Sequence, residues 1–312
     1  MPLTPQSQRL LDRFAEAGVL PFDRMSVLEA RASVAAGIAL QGAPVEVAQV
    51  RDVLADGPAG RLPVRVYDDL PGTPARPLLV FFHGGGWVTG SVEGSDATCR
   101  ALAIGTGCVV ASVEYRLAPE TRFPGPAHDA FAATAWLVEH APDLGADPAR
   151  VVVGGDSAGG NLAAATALMA RDRGGPLLAG QVLLYPPLAP PRGSPRASLA
   201  RNAEGYGLTR GGLERFWDLY LAQEADGLDP YASPLLADDL SGLPPTLVVT
   251  AEYDPLHDEG QDFAQRLRES GTDVKVVDYD GLVHGFLSMA RVLPEGRAVV
   301  GVIAAWIDRC AP

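Results

Sequence analysis

The sequence contains little cysteine: only Cys99, Cys108 and Cys310 occur in 312 residues. An odd number at these spacings fits neither a disulfide framework nor a zinc site. We therefore expect three unpaired thiols in a reducing compartment. No other cluster of metal-ligating residues with suitable spacing is present, so we expect neither a metal nor a cofactor.

Positive charge is also scarce, because 25 Lys and Arg stand against 38 Asp and Glu and give a net charge of −13. This balance disfavours binding to nucleic acid or to anionic membranes. Long apolar runs are missing as well: Leu78–Phe82 and Ala298–Ile307 are far shorter than the ~18 residues that span a bilayer. The first residues lack the basic-then-apolar pattern of a signal peptide. We expect a cytoplasmic protein without stable membrane association.

Apolar residues are abundant, at 47% of the chain, which is enough for a large core. After Pro77 they form short continuous runs, as strands covered on both faces do: Leu78–Phe82, Val109–Val113, Val151–Val153, Val182–Tyr185, Leu247–Thr250 and Val274–Val277. Helical patterns separate or follow these runs: Cys99–Gly105, Ala127–His140, Gly159–Arg173, Glu259–Ser270 and Ala298–Arg309. This alternation predicts an α/β fold, a mostly parallel sheet with helices on both faces.

Three regions lie outside the alternation. The first ~40 residues carry helical periodicity, and two alternating segments, Val45–Leu54 and Leu62–Tyr67, flank a turn signal at 56–58 and predict a hairpin. The interval from Pro186 to Pro234 has no strand signal but has a helical pattern at Leu213–Ala222. We predict four parts: N-terminal cap helices (1–45), a first core part (46–185), a helical cap insertion (186–234) and a second core part (235–312).

The segment Gly155–Gly159 reads G-D-S-A-G between a predicted strand and a predicted helix. A sharp strand-to-helix turn needs glycine on both sides of the serine, because side chains would clash there. The turn exposes the Ser157 hydroxyl at a helix N-terminus, where negative charge is stabilised. A phosphate-binding loop is the alternative, but the Lys-Ser/Thr of a P-loop and the G-x-G-x-x-G spacing are absent. We predict that Ser157 is a nucleophile.

A second motif, His83–Trp87, reads H-G-G-G-W directly after a predicted strand. Successive glycines can turn backbone N–H groups toward one point, which an acyl-transfer enzyme needs for the oxyanion of its tetrahedral intermediate. The Ala158 N–H, directly after the nucleophile, would complete this oxyanion hole. We expect His83 to orient the loop by hydrogen bonding and not to act as a base.

An acid and a base should follow the serine in the order Ser, Asp, His. Asp254 comes just after the predicted strand Leu247–Thr250, and His284 lies in a glycine-flanked loop (280–286) after Val274–Val277. Three other residues compete for these roles, and we interpret them as a helix-start histidine, a helix-opening carboxylate and a turn residue: His257, Asp258 and Asp280. We favour Asp254 and His284.

Several motifs in one order resemble the hormone-sensitive-lipase family (family IV) of α/β-hydrolases, specifically its bacterial esterases with a G-D-S-A-G motif. They are His83–Trp87, Glu114–Pro124, Gly155–Gly160, Asn202–Thr209, Pro230–Leu235, Asp254–Gly260 and His284–Phe286. The resemblance implies an eight-stranded sheet with an antiparallel second strand and a helical cap. It also implies a triad of Ser157, Asp254 and His284, and oxyanion donors at Gly85, Gly86 and Ala158, with Gly84 as an alternative donor. Members of this family often form homodimers through sheet edges.

The leading hypothesis is a serine carboxylesterase that hydrolyses small esters of short- to medium-chain acids. Phe216, Trp217 and Tyr220 in the predicted cap helix motivate the modest chain length, although such aromatics are as typical of a core. We also name Trp87 and Tyr185 as candidate substrate-binding residues. A peptidase or amidase using the same triad, and a non-catalytic small-molecule receptor, are the alternatives.

Overall fold

The computed structural model describes residues 2–311. Eight strands form a single sheet in the order β1-β2-β4-β3-β5-β6-β7-β8. They are β1 (Gln49–Gly57), β2 (Gly60–Asp68), β3 (Arg76–Phe82), β4 (Val109–Val113), β5 (Ala146–Asp156), β6 (Gly180–Leu184), β7 (Thr246–Tyr253) and β8 (Val274–Val283). Only β2 runs antiparallel to its neighbours, β1 and β4, whereas the pairs from β4 through β8 are parallel. The prediction of an eight-stranded, mostly parallel sheet is confirmed.

Helices cover both faces of this sheet. They are α1 (Pro5–Glu16), α2 (Val27–Gly37), α3 (Asp96–Thr106), α4 (Gly125–Glu139), α5 (Ala158–Asp172), α6 (Ala197–Arg201), α7 (Arg210–Tyr220), α8 (His257–Glu269) and α9 (Glu295–Cys310). Alternate residues of β3 point to opposite faces: Leu78 and Val80 join the core under α4, α5 and α8, while Leu79 and Phe81 join the core under α3 and α9. This two-sided burial explains why the central strands are continuously apolar.

The hairpin is present, but its turn lies later than we predicted. Asp56 and Gly57 belong to β1, and Gly57 pairs with Gly60, which leaves Pro58 and Ala59 as the two turn residues. Gly60 has a φ of 129°, which disfavours side-chain-bearing residues. Of the three residues in the predicted turn, two therefore end β1 and only Pro58 lies in the turn itself.

Four of these helices lie in the two parts of the chain that we predicted to form a cap. The N-terminal residues supply α1 and α2, and the segment between β6 and β7 supplies α6 and α7. The two parts meet where the Phe22 ring lies 4.9 Å from the Phe216 ring of α7. Arg31 of α2 reaches the core, donating from Nε to the Val88 carbonyl (2.9 Å) and pairing with Glu120. Within residues 2–311, no helix combines the length and the apolar character needed to cross a bilayer.

Candidate active site

The nucleophile turn depends on the absence of side chains around it. Ser157 lies between the end of β5 and the start of α5, with φ 54° and ψ −123°, a strained conformation for a non-glycine residue. A Cβ on Gly155 would lie 2.5 Å from the Phe82 carbonyl oxygen, and one on Gly159 would overlap the same oxygen. The Ser157 amide donates to the Leu184 carbonyl of β6 (2.8 Å). Backbone contacts on both sides therefore fix the turn.

The carboxylate of Asp254 is completely buried just after β7. Its Oδ1 accepts a hydrogen bond from the Leu256 amide (2.8 Å), and its Oδ2 lies 2.6 Å from Nδ1 of His284. A carboxylate held in this way fixes the imidazole with its proton on Nδ1 and leaves Nε2 as the basic nitrogen.

His284 connects the other two side chains. Its Nε2 lies 2.9 Å from Ser157 Oγ, and its side chain is 12% exposed. The Tyr185 ring packs edge-on against the imidazole, with the ring centroids 4.9 Å apart. The structure thus brings together Ser157, His284 and Asp254, which are separated by up to 127 positions in the chain.

The strand before His284 is longer than we predicted. We assigned residues 280–286 to a loop, whereas β8 continues to Val283. The extension arises because Val283 pairs with Tyr253 after an irregularity in the β7–β8 register. Gly281, with a φ of 68°, accommodates that irregularity. His284 therefore follows a paired strand directly and is more firmly placed than a loop residue.

The three residues that competed for the roles of acid and base make no hydrogen bond to the triad serine or histidine in the part of the chain that the structure describes. His257 opens α8 between Asp258 (3.0 Å) and Asp278 (3.1 Å), and these carboxylates, chiefly Asp278, raise its pKa to about 9. Asp258 follows it in the first turn of α8, as we expected. Asp280 is exposed on β8 instead of in a turn. None of the three has a hydrogen bond to Ser157 or His284 within the described residues.

The glycine loop after β3 has its carbonyl groups anchored. His83 Nδ1 donates to the Gly84 carbonyl (2.8 Å), and the Gly85 carbonyl accepts from both the amide (2.9 Å) and the hydroxyl (2.9 Å) of Thr89. In a trans peptide the N–H points opposite to the C=O. Anchoring these two carbonyls therefore directs the N–H groups of Gly85 and Gly86 to the other side of the loop. Within residues 2–311 those two amides and that of Ala158 donate to no protein acceptor.

The N–H of Gly84, the alternative oxyanion donor, already has a hydrogen-bond acceptor within the protein. It donates to Oδ1 of Asp156 (2.9 Å). Asp156 is almost fully buried, and this burial raises the pKa of its carboxyl to about 6. The contact joins the glycine loop to the residue before the nucleophile, a link that neither glycine motif predicts. The position of Asp156, an acidic residue at the end of the apolar strand β5, is the feature of the sequence that could have indicated this contact.

The two candidate substrate-binding residues are almost completely buried. Trp87 is 1% exposed and stacks on Tyr220 with the ring centroids 4.1 Å apart. Tyr185 is also 1% exposed and packs against His284 and Phe286. Both side chains contact protein groups in this structure, so a direct contact of either with substrate stays a prediction. Both also have positive φ angles, 60° and 40°, as Ser157 does.

The aromatic residues of α7 pack down on the glycine loop. Phe216, Trp217 and Tyr220 are each at most 6% exposed. A Cβ on Gly86 would collide with the Phe216 ring, and Trp217 lies edge-on to Trp87 with the ring centroids 4.8 Å apart. Phe216 packs with Val88 and Ala118 in a small cluster, whereas Trp217 and Tyr220 join the core under α4, α5 and α8.

A sheet of this order, with serine, aspartate and histidine after β5, β7 and β8, defines the α/β-hydrolase class. The family model of the alpha/beta hydrolase fold matches residues 79–288, and the chain belongs to this family. An arylesterase of Saccharolobus solfataricus is 38% identical over 97% of this chain and 98% of its own length. The carboxylic ester hydrolase LipN of Mycobacterium tuberculosis is 44% identical over 81% of this chain and 68% of its own.

Solved structures agree with this placement. A hyperthermophilic esterase from the archaeon Pyrobaculum calidifontis superposes with a TM-score of 0.93 at 42% identity, covering 100% of this chain and 99% of its own. An ester hydrolase from the Lake Arreo metagenome, complexed with a derivative of bipyridine phosphonate, also has a TM-score of 0.93, at 40% identity and 98% coverage of both chains. Within the α/β-hydrolases, the chain is a member of the hormone-sensitive-lipase branch, family IV.

Proposed function

We propose that this chain is a serine carboxylesterase in which Ser157, His284 and Asp254 form the catalytic triad. Its relatives over most of its length are named carboxylic ester hydrolases and esterases, and the chain is a carboxylic ester hydrolase. One observation carries the assignment of the residues. An unbroken hydrogen-bonded path runs from the serine hydroxyl through the imidazole to a fully buried carboxylate, with distances of 2.9 Å and 2.6 Å.

In the proposed acylation step, Ser157 Oγ attacks the ester carbonyl carbon while His284 Nε2 accepts the hydroxyl proton. A serine hydroxyl is a poor nucleophile at neutral pH and needs this neighbouring base. The negative charge of Asp254 stabilises the imidazolium that forms. When the tetrahedral intermediate collapses, the C–O bond to the alcohol breaks and Nε2 returns the proton to the leaving alkoxide.

The N–H groups of Gly85, Gly86 and Ala158 are the proposed donors to the oxyanion. Ala158 begins α5, so the positive end of the helix dipole adds to its amide. Because the two glycine amides are held by contacts on the far side of the loop, they need no reorganisation when charge develops. In deacylation, a water molecule attacks the acyl carbon while His284 Nε2 takes its proton. Collapse of the second tetrahedral intermediate then breaks the bond to Ser157 Oγ, which receives the proton from Nε2 as the carboxylic acid leaves.

A cap made of residues 1–45 and 186–234 covers this site in our proposal. The core beneath it consists of residues 46–185 and 235–312. Phe22 and Phe216, one from each cap part, contact each other beside Gly86. Aromatic rings packed this closely on the oxyanion loop restrict the space above it, which favours acyl chains of short to medium length. Cytoplasmic location and a homodimer through the edge strands β1 or β8 are part of the same proposal and rest on the sequence alone.

Hydrolysis of p-nitrophenyl esters with acyl chains of two to sixteen carbons tests the function, with an amide analogue as the peptidase arm. We expect a maximum at short to medium chains and little amide cleavage. Ser157→Ala should lower kcat by about 10⁴-fold or more while the protein stays folded by circular dichroism. Ser270→Ala, at the far end of α8, is the matched control and should retain activity. Absence of hydrolysis of every ester, or an active Ser157→Ala protein, would contradict the proposal.

A further inference from the structure

The loop that carries Asp254 has backbone carbonyl groups that face away from the triad and into a buried interface. We call residues 252–258, which are the end of β7, the turn after it and the start of α8, the acid loop. The other side of the interface is α6 and the residue after it, Asn202, which belong to the segment between β6 and β7. Buried carbonyl groups need hydrogen-bond partners, and α6 supplies them from side chains.

Asn202 bridges two of these carbonyl groups. Its Nδ2 donates to the Glu252 carbonyl (2.9 Å) and to the Asp254 carbonyl (2.9 Å), and the residue is 1% exposed. Because both partners are acceptors, the side-chain atom facing them has to be the NH₂ group. One amide therefore spans the point at which β7 ends and holds the peptide of Asp254 itself.

Ser198 holds the next part of the acid loop. Its hydroxyl donates to the Pro255 carbonyl (2.8 Å) and accepts from the Asp258 amide (3.2 Å), while its own amide donates to Asp258 Oδ2 (2.8 Å). Ser198 is fully buried. Ser198 and Asn202 together share five hydrogen bonds with the acid loop.

We propose that Asn202, supported by Ser198, is a positioning residue that sets the distance between Asp254 and His284, so that the cap segment takes part in the chemistry. This inference rests on the proposed function. The backbone of Asp254 is fixed on one side by strand β7 and on the other by these bonds, and its Oδ1 is turned by the Leu256 amide. Releasing the Asp254 carbonyl frees the peptide to rotate and moves Oδ2 away from Nδ1.

The segment between β6 and β7 therefore contacts the candidate site at two places. Its helix α7 packs on the oxyanion loop through Phe216 and Trp217, and its helix α6 braces the acid loop. A displacement of α6 that accompanies substrate entry would alter the carboxylate–imidazole contact, which couples the position of the cap to the strength of the base.

The test uses Asn202→Asp, which keeps the shape but turns a carboxylate oxygen toward the two carbonyl groups. We expect kcat to fall by about 10- to 100-fold, the effect of a misplacement near 1 Å, with a much smaller change in KM. A displaced Asp254 stabilises the imidazolium less, so the acid limb of the kcat/KM profile should move to lower pH. Inactivation by a p-nitrophenyl phosphonate, which reports on the same nucleophile, should slow in parallel.

Asn161→Asp is the matched control. Asn161 is also fully buried and also donates from Nδ2 to two carbonyl groups, those of Pro187 (2.9 Å) and Ala232 (2.8 Å), but it has no contact with the acid loop. Both variants should lose thermal stability, whereas only Asn202→Asp should move the acid limb. If both leave the limb where the wild-type protein has it, Asn202 is merely structural and the inference is overturned.

Ser198→Ala keeps the test decisive if Asn202→Asp does not fold. It removes the bond to the Pro255 carbonyl and should move the acid limb in the same direction by a smaller amount, while an unmoved limb overturns the inference. Failure of the proposed function would look different, because the wild-type protein would then neither hydrolyse esters nor react with the phosphonate.

Discussion

The two halves of the candidate site are held in different ways. On the nucleophile side, the ends of β3 and β5 meet through backbone atoms, and the turn at Ser157 exists because Gly155 and Gly159 leave no side chain in the way. On the acid–base side, side chains hold β7 and β8: Asn202 donates to the carbonyl of Asp254 just after β7, and His257 contacts Asp278 within β8.

This difference has consequences for both stability and function. Contacts between backbone atoms are set by chain geometry and do not titrate, so the nucleophile side should tolerate hardly any added volume; a group that does titrate there is the Asp156 carboxyl, which accepts from the Gly84 amide. Side-chain hydrogen bonds can be removed singly, and some of them depend on protonation. We therefore expect substitutions of the glycines around Ser157 to affect folding first, and those on the acid–base side to affect rate or pH dependence first.

The largest effect should come from Gly159→Ala. The added Cβ would overlap the carbonyl oxygen of Phe82, so α5 and β3 would have to separate. We expect a loss of more than about 4 kcal/mol in the free energy of unfolding, or no folded protein at all. The measurement is urea unfolding followed by tryptophan fluorescence.

Gly301→Ala is the control for that substitution. Gly301 lies in α9 with no atom within 4 Å of an added Cβ, so alanine should stabilise the protein by up to about 1 kcal/mol. If Gly159→Ala unfolds at the same urea concentration as the wild-type protein, the description of the nucleophile side as sterically closed is wrong.

On the acid–base side, Asp254→Asn should reduce kcat strongly without unfolding the protein. An amide NH₂ facing Nδ1 favours the tautomer with the proton on Nε2, which cannot accept the serine proton, and such a change lowers kcat by about 10⁴-fold. Steady-state ester hydrolysis combined with thermal melting separates rate from stability. Asp280→Asn, which changes an exposed carboxylate on the neighbouring strand β8, should leave kcat nearly unchanged. Equal losses in the two variants would contradict the choice of acid.

The nucleophile side was easier to predict from sequence, because local backbone geometry determines it. Glycines at fixed positions around Ser157 and after His83 report directly on local backbone geometry, and the continuous apolar strands report on two-sided burial. Their positions in the structure, at the ends of β5 and β3, follow from local rules.

The acid–base side depends on contacts that no local pattern encodes. The extension of β8 to Val283 arises from its pairing with Tyr253, 30 positions earlier, and the brace on Asp254 comes from Asn202, 52 positions earlier. Sequence order indicated Asp254 and His284 as candidates, but it could not indicate what holds them. Asp156 was missed for a related reason, since its partner, the Gly84 amide, lies on another strand end.

The smallest effect we predict is a pH dependence of stability that originates on the acid–base side. The carboxylates of Asp278 and Asp258 raise the pKa of His257 to about 9 from its ordinary value of 6.5. The protonated form is thus favoured by folding, so its contribution is complete below about pH 6.5 and is lost as the pH rises through 9. Burial raises the pKa of Glu259 from 4.5 to about 8, so its contribution is lost between those values and overlaps the loss from His257 only up to about pH 8.

His257→Gln should therefore flatten, without abolishing, the decline in stability between pH 6.5 and 9, by about 1–2 kcal/mol in urea unfolding at fixed ionic strength. His128→Gln is the control of opposite sign, because burial lowers the pKa of His128 and confines its effect to acidic solution. That variant should keep the wild-type decline above pH 6.5. A His257→Gln protein with an unchanged decline would mean that the His257–Asp278 contact does not hold the acid–base side, and that the difference between the two halves lies in Asn202 and the acid loop alone.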